Sequence, residues 1–511
     1  MEVEAMQTFE VGDAVVPEEG GDIAGTGDAA VTGRVTAALT RLLPALERYH
    51  ATADAPHFPA YVPGTVPSEP LALPDDGVGL DATLDELAVA VEHGCRISAP
   101  GFVGFITTGA TTSGVAAATA TALAGGQRYL VHAFNALERT GIRWLAELCG
   151  LPADTYGVLS SGGSTAQLLA LGAARQAAFE RLGVDVAADG LAGGVRGRIY
   201  VSDRGHRTIH RAAAVLGLGR DAVRGIPSLP GGQVDPDALE AALAQDRAAG
   251  LVPIAIVAVA GSTDTGSVDP IARLVEIARR HDTWLHVDGA YGLLANASPT
   301  QAPAFDGVRD ADSWIVDPHK WLATGVGVGA TFVRDADVLT RAFAEGEAAY
   351  LEGSFSTVPE DGASQFDLMA GAWADQSLEL SAPPRGVLVW AVLREIGRAG
   401  LAARIDRHVG FARHLAARVA AEPRLELLCD AQLSIVCFRY APPPGVDGDV
   451  LTARVLERLR RETPFVPSST VVRGVYALRP CFINPRTTRR EVDGLVDAVL
   501  RFGDEATSTP R

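Results

Sequence analysis

His286-Val287-Asp288-Gly289-Ala290-Tyr291-Gly292 and, a short way downstream, Asp317-Pro318-His319-Lys320-Trp321-Leu322 carry the reading of this chain. Each follows a short apolar run, Thr283 to Val287 and Ser313 to Val316, of the length and β-branched character of a buried strand. Asp288 and Lys320 therefore stand just past strand ends, where parallel sheets place their ligands. An isolated aspartate there is more often a turn cap, and an isolated lysine is usually solvated surface. Lys320, however, sits among His319, Trp321 and Leu322, a poor setting for a surface charge.

Working outward, the same alternation recurs. Arg198 to Ser202, Ile254 to Ala260 and Gly329 to Val333 are further apolar runs separated by helical stretches, which predicts a mostly parallel sheet covered by helices on both faces from about residue 100 to 335. After about Gly386 helices interleave with the strand-like LELL, LSIVCFRY and VYALRPCFI, predicting a smaller α+β domain. Before the sheet, Gly33 to Tyr49 has leucines at helical spacing with Pro44 expected to kink or interrupt the helix, and a second helix is expected from about Asp81 to Glu92 with Thr83 and Glu86 as a capping box. A Pro-rich connector lies between them. The expected organisation is a disordered leader over 1–30, a helical arm over 31–98, a large domain over 99–385 and a small C-terminal domain over 386–505.

Composition excludes several classes. With 44 Lys and Arg against 62 Asp and Glu among 511 residues, the net charge is −18, and no basic stripe offers itself to a phosphate backbone. Nucleic acid is not an expected partner. The longest apolar run, Leu251 to Ala260, is about half of the roughly 20 residues a membrane helix needs. The five cysteines show no CxxC spacing, and no positive region precedes an apolar run at the start, so a reduced, cytoplasmic setting is expected.

Leu159-Ser160-Ser161-Gly162-Gly163-Ser164-Thr165 opens an Ala- and Leu-rich helix. Glycines let the backbone approach an anion, and the free N–H groups at a helix start favour phosphate. Alone this segment also fits an ordinary helix cap. His206 follows the Ile199 to Ser202 run and could stack on a ring or carry protons. With His210 it makes an i, i+4 pair, but zinc would need a third ligand, and the glutamate of HExxH is missing, so no metal is expected. A lysine that forms a Schiff base and an acid that keeps a pyridine nitrogen protonated are the groups pyridoxal phosphate chemistry requires.

SSGGSTAQLLAL, GHRTIHRAAAVLG, GSTDTGSVDPI, HVDGAYG, DPHKWL and ALRPCFINPRTT together resemble, in order and spacing, the group II pyridoxal-phosphate-dependent amino acid decarboxylases, from about Pro56 to Val499. The resemblance implies the α/β, aspartate aminotransferase-like fold type I, a homodimer with interfacial active sites, pyridoxal 5′-phosphate as cofactor and an L-amino acid as substrate. It implies that Lys320 bonds the cofactor, Asp288 binds the pyridine nitrogen, Ala290 packs beneath the ring and His206 stacks above it. Gly163, Ser164 and His319 match positions around the phosphate, and Arg479 an arginine near the substrate carboxylate or its supporting shell. The expected reaction is decarboxylation to the amine.

The pattern also departs from the family. No tyrosine lies between Leu351 and Gly386, where the family usually carries one that protonates the substrate carbon; Phe355, Phe366 and Trp373 are the aromatic alternatives. Val259 replaces a frequent Thr, Asp317 a frequent Asn near the phosphate, and Ala382-Pro383 an Arg-Arg pair. An acid near a phosphate is unfavourable unless it points away or is hydrogen-bonded. These departures raise oxidative decarboxylation-deamination to an aldehyde, or aminotransfer, as the alternative.

Overall fold

The computed structural model describes residues 29–51, 73, 75–128, 132–191, 194–344 and 375–508. The leader up to residue 28, most of the Pro-rich connector, and Phe355, Phe366 and Trp373 lie outside the described residues.

Two helices form a unit of their own, α1 (Ala29–Ala51) and α2 (Leu80–His93). Arg41 reaches Asp81 and Asp85, and Arg48 reaches Glu92, so charged pairs line one side of this hairpin. Pro44 does not end α1. Its ring removes only the bond to the carbonyl of Thr40, an exposed residue whose oxygen water can satisfy. The expected capping box is also absent: Gly79 is the N-cap, and the Thr83 hydroxyl, inside the first turn, donates back to the Gly79 carbonyl at 2.9 Å.

From Cys95 onward the chain forms the second unit, built on two sheets. Its elements run β1 (Phe102–Val103), α3 (Thr112–Leu123), α4 (His132–Leu148), β2 (Tyr156–Ser160), α5 (Gly163–Glu180), α6 (Val186–Asp189), β3 (Gly197–Ser202), α7 (Thr208–Val215) and β4 (Val223–Ile226). They continue with α8 (Pro236–Ala248), β5 (Val252–Val259), α9 (Ile271–Arg280), β6 (Trp284–Asp288), β7 (Ser313–Val316), β8 (Gly329–Val333) and α10 (Asp337–Phe343). The last part holds α11 (Gly386–Ala421), β9 (Leu425–Gln432), β10 (Ile435–Tyr440), α12 (Gly448–Glu462), β11 (Val466–Val472), β12 (Val475–Arg479) and α13 (Arg489–Ser508).

The larger sheet has the order β2-β8-β7-β6-β5-β3-β4, and β8 alone runs against its neighbours. Its central strands are buried along nearly their whole length, which is why Ile254 to Ala260 and Ser313 to Val316 are continuous apolar runs rather than alternating ones. The smaller sheet has the order β1-β11-β12-β10-β9, so Phe102 and Val103 join strands more than three hundred residues away in sequence. Phe438, Leu459, Phe482, Val492 and Phe502 form its core with α11, α12 and α13.

Candidate active site

The C-terminal ends of β5, β6 and β7 and the N-terminal end of α5 meet around a cavity of about 400 Å³. Gly163, Ser164, His206, Asp288, Ala290, His319 and Lys320, seven positions from four separate segments, all line it. Arg204, Val259, Tyr291 and Asp317 line it as well.

The α5 end is shaped by two glycines. Gly162 turns the chain out of β2 at φ 128°, a conformation other residues rarely adopt. At Gly163 a Cβ would lie 2.5 Å from Asp317 Oδ2, so only glycine lets the helix start lie against that carboxylate. The N–H groups of Gly163 and Ser164 at the start of α5 are ones a helix leaves without partners of its own, and both residues line the cavity, an arrangement that favours an anion.

Lys320 follows β7 by one tight turn, in which its own N–H donates to the Asp317 carbonyl at 2.9 Å. Its side chain is largely buried, and Nζ lies 3.1 Å from Asp317 Oδ2. His319 Nδ1 is 2.7 Å from the Val328 carbonyl, which can only accept, so Nδ1 carries the proton and Nε2 faces Asp317 Oδ2 at 3.9 Å. Trp321, fully buried, stacks on Tyr291 at 5.1 Å and donates to His408 Nδ1 at 2.9 Å. Tyr291 Oη in turn accepts from the Ser434 N–H at 3.0 Å, so residues of α11 and the smaller sheet hold one wall of the cavity. The apolar character of WL in DPHKWL is thus explained by a second layer of packing behind the lysine.

Asp288 ends β6 with its carboxyl buried, and Oδ1 accepts the Ala290 N–H at 3.2 Å. Burial raises its pKa, and the charges of Lys320 and His206 partly oppose that. A carboxylate so placed favours a cationic ligand group. Asp269, to which sequence reasoning gave no role, accepts the N–H of Val234 and of Val259 at 2.7 Å each. Burial pushes its pKa up to about 6. Val259 pairs in register with Asp288, so Asp269 fixes the strand end beside the buried acid. The signal was the Asp-Pro before α9 in GSTDTGSVDPI, a buried acid at a helix start.

His206 stands on the loop between β3 and α7, with Nδ1 2.8 Å from Thr208 Oγ1 and accepting the Thr208 N–H at 3.3 Å. Its ring is exposed toward the cavity mouth. Arg479, unlike the other seven, does not line the cavity. It is buried at the end of β12 and donates to the Phe105 carbonyl at 3.3 Å. Phe105 has φ 52°, its N–H bonds Ser468, and the residue is 54% exposed, so Arg479 and Ser468 hold a strained, exposed aromatic residue.

An anion recess, a lysine amine, a buried acid and a small residue, Ala290, after that acid in one cavity can hold a flat, phosphorylated, cationic heterocycle with a carbonyl in reach of the amine. The residues present fit pyridoxal phosphate on those grounds. Residues 63–441 match the family model described as the pyridoxal-dependent decarboxylase conserved domain. An aromatic-L-amino-acid decarboxylase of Bacillus atrophaeus is 30% identical, covering 73% of this chain and 74% of that protein. A 4-hydroxyphenylacetaldehyde synthase of Rhodiola rosea is also 30% identical, covering 70% of this chain and 71% of its own. The crystal structure of Oryza sativa TDC with PLP and tryptamine superposes with a TM-score of 0.85 at 27% identity, covering 94% of this chain and 100% of that one.

Proposed function

The chain belongs to the pyridoxal-dependent decarboxylase family, with fold type I architecture and pyridoxal phosphate as cofactor, and from that premise we propose that it converts an L-amino acid to its amine and CO2 with Lys320 as the covalent anchor. The observation that carries the residue assignment is the convergence of Lys320, Asp288 and the α5 start, from three separate elements, on one cavity. When bound, the cofactor supplies an electron sink for the bond that breaks at the substrate Cα.

The chain's own residues do the rest. Gly163 and Ser164 would present N–H groups, and Ser164 its hydroxyl, to the phosphate, with His319 alongside. Asp288 would hold a proton on the ring nitrogen, and its burial would strengthen that contact, because a buried carboxylate has little water to compete for it. Ala290 would leave room for one face of the ring, and His206 would cover the other. Lys320 would anchor the cofactor covalently, and its amine would be the group within reach to exchange protons with the substrate. Arg479 acts through Phe105 rather than by touching the cavity.

A second reading has one specific observation behind it. The segment from Leu351 to Gly386 carries no tyrosine to return a proton to the substrate carbon. Oxidative conversion would consume O2 and water and release an aldehyde, CO2, ammonia and hydrogen peroxide. Incubation with a panel of L-amino acids, with every product quantified, separates the two. Amine and CO2 in equal amounts without peroxide support the first; aldehyde matched by ammonia and peroxide selects the second; no turnover of any amino acid defeats both. Borohydride treatment should fix the cofactor to the peptide containing Lys320 and leave Lys320→Ala unlabelled.

The proposal extends to a homodimer in the cytoplasm. Leu39, Leu43, Leu46 and Leu87 of the arm are exposed, an apolar surface suited to a second copy. All five cysteines are free, as a reducing compartment keeps them. Among the described residues no helix is long and apolar enough to cross a membrane. Light scattering that gives the mass of a single chain would remove the dimer from this reading.

A further inference from the structure

A carboxylate lies inside the recess that should receive a phosphate. Asp317 is 3% exposed, and a Cβ on Gly163 would sit 2.5 Å from Oδ2 and 3.0 Å from Oδ1, so the acid faces the first turn of α5. Oδ2 pairs with Lys320 Nζ at 3.1 Å, while Oδ1 is buried with no hydrogen-bond partner among the described residues. The fold does not depend on this side chain for its local geometry, because the main chain of Asp317 is held separately: its N–H donates to the Ala290 carbonyl at 3.1 Å and its carbonyl accepts from Lys320. Among the described residues, its one ionic partner inside the hydrogen-bonding range is the lysine that the cofactor reading needs for another purpose.

We propose that Asp317 is a positioning residue that holds the Lys320 ammonium in the cofactor-free site and, by its charge, weakens the hold of the recess on the cofactor's phosphate. The inference rests on the cofactor reading above. A phosphate entering at Gly163 and Ser164 meets a like charge a few ångströms away, with an oxygen that offers no proton donor to it. When Lys320 is committed to the cofactor, its free ammonium is no longer there to neutralise that charge, and the nearest other ring nitrogen on the segment, His319 Nε2, lies 3.9 Å away. Asparagine at this position has the same shape, cannot repel the phosphate, and can donate from its amide. The site accordingly trades cofactor affinity for a lysine that is parked, rather than free, while the site is empty.

The test uses the purified cofactor-free protein and pyridoxine 5′-phosphate, which carries the phosphate but has no aldehyde and cannot bond the lysine. Binding is followed by quenching of tryptophan fluorescence. Asp317→Asn should bind it about tenfold more tightly than the wild type, a figure set below the unscreened repulsion of two charges at this range because the Lys320 ammonium, which this probe leaves paired with Asp317, and solvent screen it. Far-ultraviolet circular dichroism and melting close to wild type confirm that the variant is folded. Equal affinity within about threefold, or weaker binding by Asp317→Asn, overturns the inference. If borohydride still fixes pyridoxal phosphate to Lys320 in the wild type, that result leaves the cofactor reading standing. If neither protein binds the probe and nothing is fixed to Lys320, the cofactor reading falls and takes this inference with it.

Discussion

Adding one methyl group at Gly163 examines the recess from the opposite side. In Gly163→Ala the new Cβ would lie 2.5 Å from Asp317 Oδ2, 3.0 Å from Oδ1 and 3.1 Å from Cγ. An ordinary carbon–oxygen contact is closer to about 3.4 Å, so the carboxylate must retreat by nearly 1 Å or the start of α5 must move. The helix start has little freedom, since Gly329 packs so closely on Gly162 that a Cβ there would be 2.5 Å from the Gly162 backbone. The carboxylate therefore yields, drawing away from Lys320 or into the phosphate recess. Alanine is the better helix former, so intrinsic propensity opposes any loss. Overpacking of this kind costs about 1–3 kcal/mol, which at about 1.4 kcal/mol per factor of ten weakens cofactor binding roughly five- to one-hundred-fold. The assay is titration of the cofactor-free protein with pyridoxal phosphate. Combining the change with Asp317→Ala removes the obstructing group, so the Gly163→Ala penalty should largely vanish in that background. A penalty under about threefold in the single variant, or an undiminished one in the double variant, refutes the assigned contact.

Asp288→Asn should still be labelled at Lys320 by borohydride and pyridoxal phosphate yet lose about a hundredfold or more in turnover; near-native turnover would free Asp288 of its role. Asp269 gives a pH dependence whose sign is fixed by its raised pKa. The folded value of about 6 exceeds the ordinary 3.8, so the folded state binds the proton more tightly, and the stability from that proton is complete below about 3.8 and lost as pH rises through about 6. The full swing is about 3 kcal/mol, of which roughly half falls between pH 5 and 7.5. Asp269→Asn should reduce the decline in denaturant midpoint over that interval, and an unchanged profile would contradict the assignment. Gly410→Ala, in the middle of α11 with nothing within 4 Å of the added Cβ, should raise stability by about 0.5–1 kcal/mol without altering activity.

The parts of this molecule legible in the sequence are those whose cause is local. Ser313 to Val316 forms β7 with the expected ends, and Thr283 to Val287 is displaced by one residue in β6, because a strand buried on both faces writes an unbroken apolar run. Seven site positions lie at strand or helix ends marked by such runs or by paired glycines, and all seven meet in the cavity. What stayed hidden depends on partners far along the chain. The fourth strand of the smaller sheet, Val466–Val472, carries Pro467 and two serines and lacks an apolar run; it exists because β12 pairs with it on one side and Phe102–Val103 on the other. Cys429 and Cys437 have no motif spacing, yet they stand opposite each other across the β9–β10 hairpin. Thr83 has the spacing of a cap, but Gly79 takes that place because its φ of 83° turns the chain where threonine would be strained.

Asp317 shows why residue type alone misleads at a site like this one. Read from the sequence, an acid beside a phosphate looks like a fault that must point away or be satisfied by donors. In the fold it does neither completely: one oxygen takes the lysine, and the other is buried against the α5 start with no partner among the described residues. Removing either partner therefore has unequal effects. Lys320→Ala leaves a buried carboxylate with its nearest cation gone, so that variant should lose stability as well as the covalent anchor, whereas Asp317→Asn leaves an ammonium that can still reach solvent through its partly open side. A fall in denaturant midpoint for Lys320→Ala that disappears in Lys320→Ala/Asp317→Asn would assign the loss to the stranded acid. A fall of equal size in both would place it in packing around Trp321 and remove the ion pair from the account.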